Sequence, residues 1–264
     1  MISCMRTVAA VGIGAAAVLL AGCQHAAEPH AKAAERVQPV AVAIAARTVS
    51  PQSAVGALFL GATDTHTCSG SVIHSASKDL VLTAAHCLAQ EYPATFVPGF
   101  ADTADPGEVW TVDAVYLDPR WVATQDPNAD YAFLRVSRPA GGSIETIVGA
   151  ALTLGAAPVP SSPVTVVGYP MGVGGKPVSC DTVASPDTGG FPTLQCGGLV
   201  DGTSGAPWIT GTHVVGVIGG REAGGCQDNV SYSAPFDSGT AALLRRAEAG
   251  GPGDAAPNTF DNEC

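Results

Sequence analysis

The sequence is poor in charge, and poorest in positive charge. Asp, Glu, Lys and Arg make up 13% of its 264 residues, with 12 basic against 23 acidic side chains. A net charge of −11 argues against a nucleic-acid surface, because phosphate binding needs clustered Lys and Arg. The same charge favours solubility and says nothing about fold. There is no CxxC and no clustered set of Cys and His, which argues against a zinc site. The apolar stretch Val8–Ala21 is too short to span a bilayer. No internal repeat is evident. Helical periodicity is scarce: only Asp237–Ala249 carries it, with Asp237 or Ser238 as cap and Gly250-Gly251-Pro252 as stop.

What the sequence does have is turn chemistry and short apolar runs. Gly (32) and Pro (20) are abundant, and 46% of the residues are hydrophobic. Strand-like segments recur at Ala54–Leu60, Ser71–His74, Leu80–Ala84, Val109–Leu117, Tyr131–Val136, Val164–Tyr169, Ala206–Thr210 and His213–Ile218. Val109–Val115 alternates in part, as a half-buried strand does. Many strands with one terminal helix predict an all-β antiparallel barrel or sandwich rather than alternating β/α units. The length left after any leader suits one domain.

The N-terminus reads as an export signal. Arg6 supplies a positive start, Val8–Ala21 has the length of a signal-peptide core, and small residues lead to a cysteine in Leu20-Ala21-Gly22-Cys23. That tetrapeptide resembles the bacterial lipoprotein signal, which implies removal of residues 1–22 and a lipid on Cys23. An ordinary secretory signal with an incidental cysteine is the alternative. Residues 23–50 are Ala-rich and read as a tether or a short pro-segment; residues 251–264 form a C-terminal tail. Eight cysteines are present. With Cys4 in the signal and Cys23 lipidated, Cys68, Cys87, Cys180, Cys196, Cys226 and Cys264 remain, an even set suited to an oxidising compartment, whose pairing spacing alone does not choose.

Three segments carry chemistry: Leu82-Thr83-Ala84-Ala85-His86-Cys87, Asp130-Tyr131-Ala132-Phe133-Leu134 and Asp201-Gly202-Thr203-Ser204-Gly205-Ala206-Pro207-Trp208. The first resembles the histidine segment of trypsin- and chymotrypsin-like serine peptidases, the second their aspartate strand, the third the bacterial form of their serine loop. The resemblance covers about residues 54–245. It implies two six-stranded antiparallel β-barrels with a C-terminal helix over residues 51–250, and a catalytic triad of His86, Asp130 and Ser204. A serine hydroxyl needs a nearby base to become a nucleophile. Histidine, with an ordinary pKa of about 6.5, can take and return that proton near neutrality. Asp130 would hold the imidazole in one tautomer, and the N–H groups of Gly202 and Ser204 would form the oxyanion hole. Asp118 and Asp126 rival Asp130 but can be turn residues, and Ser161 and Ser238 rival Ser204. The order His, Asp, Ser and the missing final glycine of G-x-S-x-G set the chain apart from α/β-hydrolases.

The resemblance also implies disulfides Cys68–Cys87 and Cys180–Cys196. Cys226–Cys264 then follows, with Cys196–Cys226 as the alternative. Animal relatives carry an aspartate before the serine that pairs with a newly made N-terminal amine; Thr203 stands there, and Asp201 lies further upstream, so activation by a buried amine is not expected. The specificity pocket is expected near Gly198, Gly219, Gly220 and Arg221. Gly198 stands where a trypsin-type acid would, and Ile218 where glutamyl endopeptidases place a histidine, so neither basic nor acidic preference is supported. Arg221 is either a solvated loop residue or a selector of acidic side chains. The chain is therefore expected to be an exported serine endopeptidase, without cofactor or metal, acting as a monomer on proteins or peptides and held to a bacterial membrane by its lipid, or secreted. A binding protein on the same fold and a structural lipoprotein are the competing classes.

Overall fold

The computed structural model describes residues 44–258. The signal, Cys23 and Cys264 lie outside the described residues. In chain order the strands are β1 (Arg47–Thr48), β2 (Val55–Leu60), β3 (Thr65–Ile73), β4 (Leu80–Thr83), β5 (Ala94–Pro98), β6 (Trp110–Leu117), β7 (Ala132–Ser137), β8 (Thr153–Leu154), β9 (Pro163–Gly168), β10 (Gly172–Val173), β11 (Val178–Thr188), β12 (Phe191–Gln195), β13 (Pro207–Thr210), β14 (His213–Val217) and β15 (Val230–Tyr232). The α-helices are α1 (Pro119–Thr124), α2 (Ile144–Val148) and α3 (Ser238–Ala249). No helix among the described residues is long and apolar enough to cross a membrane.

Strands β2 to β7 close into a six-strand antiparallel barrel. Pairing runs β3-β2-β5-β6-β7-β4, and β4 returns to β3 through Ser71–Leu82, Val72–Val81 and Ile73–Leu80. The second half of the chain forms an eight-stranded sheet in the order β15-β12-β11-β9-β13-β14-β8, with β1 added along β11. No pairing joins β15 to β8 among the described residues. The short β10 crosses over to pair with β3 of the barrel.

The sequence explains which strands are buried on both faces. β2 (VGALFL) and β4 (LVLT) are continuous apolar runs and lie inside the fold, whereas β6 (WTVDAVYL) mixes buried with exposed positions. Leu58, Val72, Val81, Phe96, Trp110 and Leu134 fill the barrel. Val164, Val166, Leu194 and Trp208 fill the second half. A third cluster joins both halves to α3 through Leu82, Tyr131, Phe133, Val217, Phe236 and Leu243. Leu82 and Phe133 sit opposite each other on β4 and β7, so the core that seals the two halves also fixes the strands from which His86 and Asp130 emerge. Helix α3 starts at Asp237, whose carboxylate accepts from the Gly239 and Thr240 amides while the Thr240 hydroxyl side chain accepts from the Asp237 N–H, a reciprocal cap worth about 1 kcal/mol.

The tether assigned to residues 23–50 ends earlier than expected: residues 44–49 are paired into the second sheet. The segment is too short to announce itself as a strand, and β11 and Gly197 supply its partners.

Candidate active site

His86 sits in a single 3-10 turn, Ala85–Cys87, directly after β4. The turn is pinned by the Cys68–Cys87 disulfide, with an S–S distance of 2.01 Å, which ties it to the neighbouring strand β3. Asp130 is fully buried at the entrance to β7. Its carboxylate accepts three N–H groups: the His86 ring Nδ1 at 2.7 Å and the Gly220 amide at 2.7 Å on Oδ2, and the His86 amide at 2.9 Å on Oδ1. Two bonds to one histidine fix both the position of its backbone and the direction of its ring. With Nδ1 facing the carboxylate, Nε2 is on the opposite side of the ring.

The two rival aspartates are engaged elsewhere. Asp118 caps α1, accepting from the Arg120 amide, and Asp126 caps the Pro127–Ala129 turn, accepting from the Asn128 amide. Asp118 also accepts from the Arg120 guanidinium and the Tyr131 hydroxyl. Burial works against its charge, yet these bonds hold its carboxyl below the ordinary carboxylate value. Burial in turn pushes the Tyr131 hydroxyl well above the ordinary tyrosine range. Of the other serines considered, Ser161 lies in a turn bonded to Ala184 and Ser238 opens α3.

Ser204 lies on a tight loop held from both halves of the fold. Ser69 on β3 donates its N–H to the Ser204 carbonyl at 2.7 Å, and its hydroxyl donates to the Gly202 carbonyl at 2.9 Å. From the other side, Gly205 N–H reaches the Ile218 carbonyl at 2.7 Å, and Ile218 N–H reaches the Ala206 carbonyl at 3.0 Å. Glycine is required at two points: Gly202 has φ +89° and Gly205 φ +77°, and a Cβ would strike the Met171 amide at the first and Thr83 and Ser69 at the second. The amides of Gly202 and Ser204 donate to no group among the described residues. Thr203 is buried, and its N–H and hydroxyl both turn back to the Val200 carbonyl at 3.0 and 2.6 Å. The loop thus braces itself through Thr203.

Ser69 escaped the sequence reading. It is fully buried, it accepts from the Tyr169 amide at 2.8 Å, and its carbonyl accepts from the Thr83 hydroxyl at 2.8 Å. The signal available was its place beside the half-cystine Cys68.

His86, Gly202, Thr203 and Ser204 open onto one cleft of about 770 Å³. Leu60, Thr67, Met171, Leu199, Val200, Ile218 and residues 222–228 also line it. The four residues expected at the pocket do not line this cleft. Gly198 faces Ala46, while Gly219 and Gly220 pack against Asp130 and the Ser233–Ala234 backbone. Gly220 must come this close for its amide to reach Asp130. The segment therefore runs behind the histidine, and the cleft wall begins at Glu222. Arg221 turns aside, pairing with Glu222 at 3.1 Å and lying over the Tyr232 ring at 5.8 Å.

Cys180 and Cys196 are bonded, with an S–S distance of 1.98 Å. Cys226 is also in a disulfide; Cys264, the partner inferred for it, lies outside the described residues. Cys68, His86 and Cys87 come together, but the two sulfurs are bonded to each other and offer no thiolate to a metal.

A family model described as a trypsin-like peptidase domain matches residues 68–217. No curated protein matches. Among solved structures, the protease Anisep from Arthrobacter nicotinovorans is 23% identical, with a TM-score of 0.67, covering 78% of this chain and 100% of its own. The thermostable serine protease AL20 from an extremophilic microorganism is 23% identical, with a TM-score of 0.65, covering 75% and 98%. A Glu endopeptidase is 16% identical, with a TM-score of 0.62, covering 78% and 98%.

Proposed function

The chain belongs to the trypsin-like peptidase family and is a serine-type endopeptidase, and from that premise we propose that it cleaves peptide bonds through an acyl-enzyme on Ser204, with His86 as general base and Asp130 as its orienting acid. The observation that carries this assignment is the triple acceptance at Asp130, which aims one imidazole into the cleft that Ser204 also lines.

Nε2 of His86 takes the proton of the Ser204 hydroxyl as the oxygen attacks the scissile carbonyl. The negative charge that forms on the carbonyl oxygen is met by the N–H groups of Gly202 and Ser204, held in place by the Gly202 turn and by Ser69. Imidazolium is stabilised by the buried Asp130 carboxylate and gives its proton to the departing amine. Water then enters and attacks the acyl carbon as His86 takes one of its protons; the C–O bond to Ser204 breaks, His86 returns that proton to the Ser204 oxygen, and the free acid leaves.

The disulfides support an oxidising compartment outside the cytoplasm. Export by the leader, attachment through a lipid on Cys23 and action as a monomer complete the proposal. The cleft is lined by Leu199, Val200, Ile218 and Ala223 together with Asp201, Glu222 and Asp228, which favours apolar or small side chains before the cut and disfavours acidic ones, since a further carboxylate desolvated there would meet like charge.

A serine-directed fluorophosphonate probe is the test. The wild type is expected to label and to cleave peptides, and Ser204→Ala to do neither while melting at an unchanged temperature. Retention of a tenth of wild-type turnover in Ser204→Ala would place the nucleophile elsewhere, since triad members act as a unit.

A further inference from the structure

The chain ahead of the barrel is built into the approach to the serine loop. Ala46 donates its N–H to the Gly197 carbonyl at 2.8 Å, and Gly197 returns its own to the Ile44 carbonyl at 2.9 Å. Then β1 lies along β11, Arg47 opposite Ser179 and Thr48 opposite Val178. Val49 closes the run by donating to the Pro177 carbonyl at 2.9 Å. The Arg47–Asp181 pair at 3.1 Å is exposed on both sides and contributes little; the backbone bonds do the joining. One extended segment therefore ties residues 177–181 to residue 197.

Residue 197 leads directly into the cleft. Ala46 and Leu199 pack against the same buried cluster of Val164, Leu194, Cys196 and Trp208. Leu199 and Val200 line the cleft. The Val200 carbonyl then receives both bonds from Thr203, the residue before Ser204. The path from the segment to the cleft wall is continuous backbone. The path to His86 and Asp130 is not: those residues are held by β4, β7, the Cys68–Cys87 bond and Gly220.

We infer that Ile44–Val49 is a positioning strap that sets the Leu199–Val200 wall of the cleft, so that substrate affinity and residue preference depend on it while proton transfer at Ser204 does not. The strap stands in the unprocessed chain, so the cleft is formed without a new N-terminal amine, and a cut within residues 44–49 weakens substrate binding. The inference rests on the peptidase reading of the Ser204 cleft.

The test uses the full chain. Ala46→Pro removes the N–H that bonds Gly197, and Ala46→Gly keeps it. For a peptide substrate, Ala46→Pro is expected to raise KM about tenfold, the upper range for one lost hydrogen bond, with kcat and the rate of fluorophosphonate labelling within about twofold of wild type. Ala46→Gly is expected to restore KM to within about twofold on the same reasoning. Should Ala46→Pro not fold, Ala46→Asn keeps the amide but sets a polar side chain against the Leu199 cluster. It is expected to raise KM about threefold at unchanged labelling. Unchanged KM and unchanged residue preference in a folded Ala46→Pro or Ala46→Asn protein overturn the strap alone. A wild type that neither labels nor cleaves overturns the peptidase reading and the strap with it.

Discussion

Replacing Asp130 by Asn is the sharpest perturbation of the proposed triad, because the carboxylate faces three N–H donors and no acceptor. The amide that replaces it has one oxygen and one N–H₂ group. If its oxygen takes the Oδ2 position, it accepts from His86 Nδ1 and Gly220 as before, but its N–H₂ then points at the His86 amide now 2.9 Å from Oδ1. If it is turned over, the N–H₂ meets the fixed Gly220 amide at the 2.7 Å position and forces the imidazole into the opposite tautomer. Either way a buried donor goes unmade, at about 1–3 kcal/mol, and the imidazolium loses its counter-charge. Loss of stability should lower the melting temperature by roughly 2–4 °C per kcal/mol for a domain of this size. Loss of activity should be far larger, on the order of 10⁴ in kcat/KM as in other triads of this geometry, or about 5.5 kcal/mol of transition-state stabilisation. The measurement pairs kcat/KM on a peptide with a thermal melt, for Asp130→Asn and Asp126→Asn side by side. The reasoning fails if Asp130→Asn melts lower but keeps a tenth of its activity, or if Asp126→Asn is the damaging change.

Two further outcomes test what surrounds the triad. Arg221→Ala should leave the ratio of cleavage after Leu to cleavage after Glu within about twofold of wild type, because its guanidinium is engaged by Glu222 and Tyr232; a wild-type preference for Glu or Asp that disappears in the variant would show that Arg221 selects the substrate. Asp118, held below its ordinary value of 3.8 despite burial, contributes stability that is fully present above the unfolded-state pKa and is lost as pH falls through the folded one. Wild type and Asp118→Asn should therefore differ most in melting temperature above about pH 5, and the gap should shrink progressively as pH falls through 3.8 and below it; a gap that stays constant down to about pH 2 would contradict the linkage.

The parts of the fold that were legible share one property: their side chains carry the information. The apolar runs of β2, β4, β7 and β14 announce buried strands, and the Asp237 cap and Gly250 stop delimit α3 within one residue. β11 (VSCDTVASPDT) and β12 (FPTLQ) were not legible. β11 is exposed along much of its length and bends at a register shift around Pro186, so neither alternation nor apolar content marks it. The cleft wall was misplaced for a related reason. Its position depends on how near Gly219 and Gly220 come to Asp130, a backbone approach that depends on the absence of side chains and leaves no pattern to read.

The three aspartates of residues 118–130 show how much local chemistry can decide before any geometry is known. Asp118 and Asp126 each stand directly before a proline. Proline has no amide hydrogen to satisfy and a φ already suited to the first turn, so Asp-Pro is the signature of a capped helix start. Both carboxylates do cap such turns. Asp130 is followed by Tyr131 and a buried strand, so no helix start lies downstream to take its oxygens. A carboxylate at the mouth of a buried strand must find donors from elsewhere in the fold or remain costly. It finds them on His86 and Gly220, one from each half of the molecule. The same burial that makes the charge expensive therefore makes its placement dependent on both halves being correctly joined. The alignment of the histidine with the Ser204 cleft is thus a property of the assembled fold rather than of any one loop.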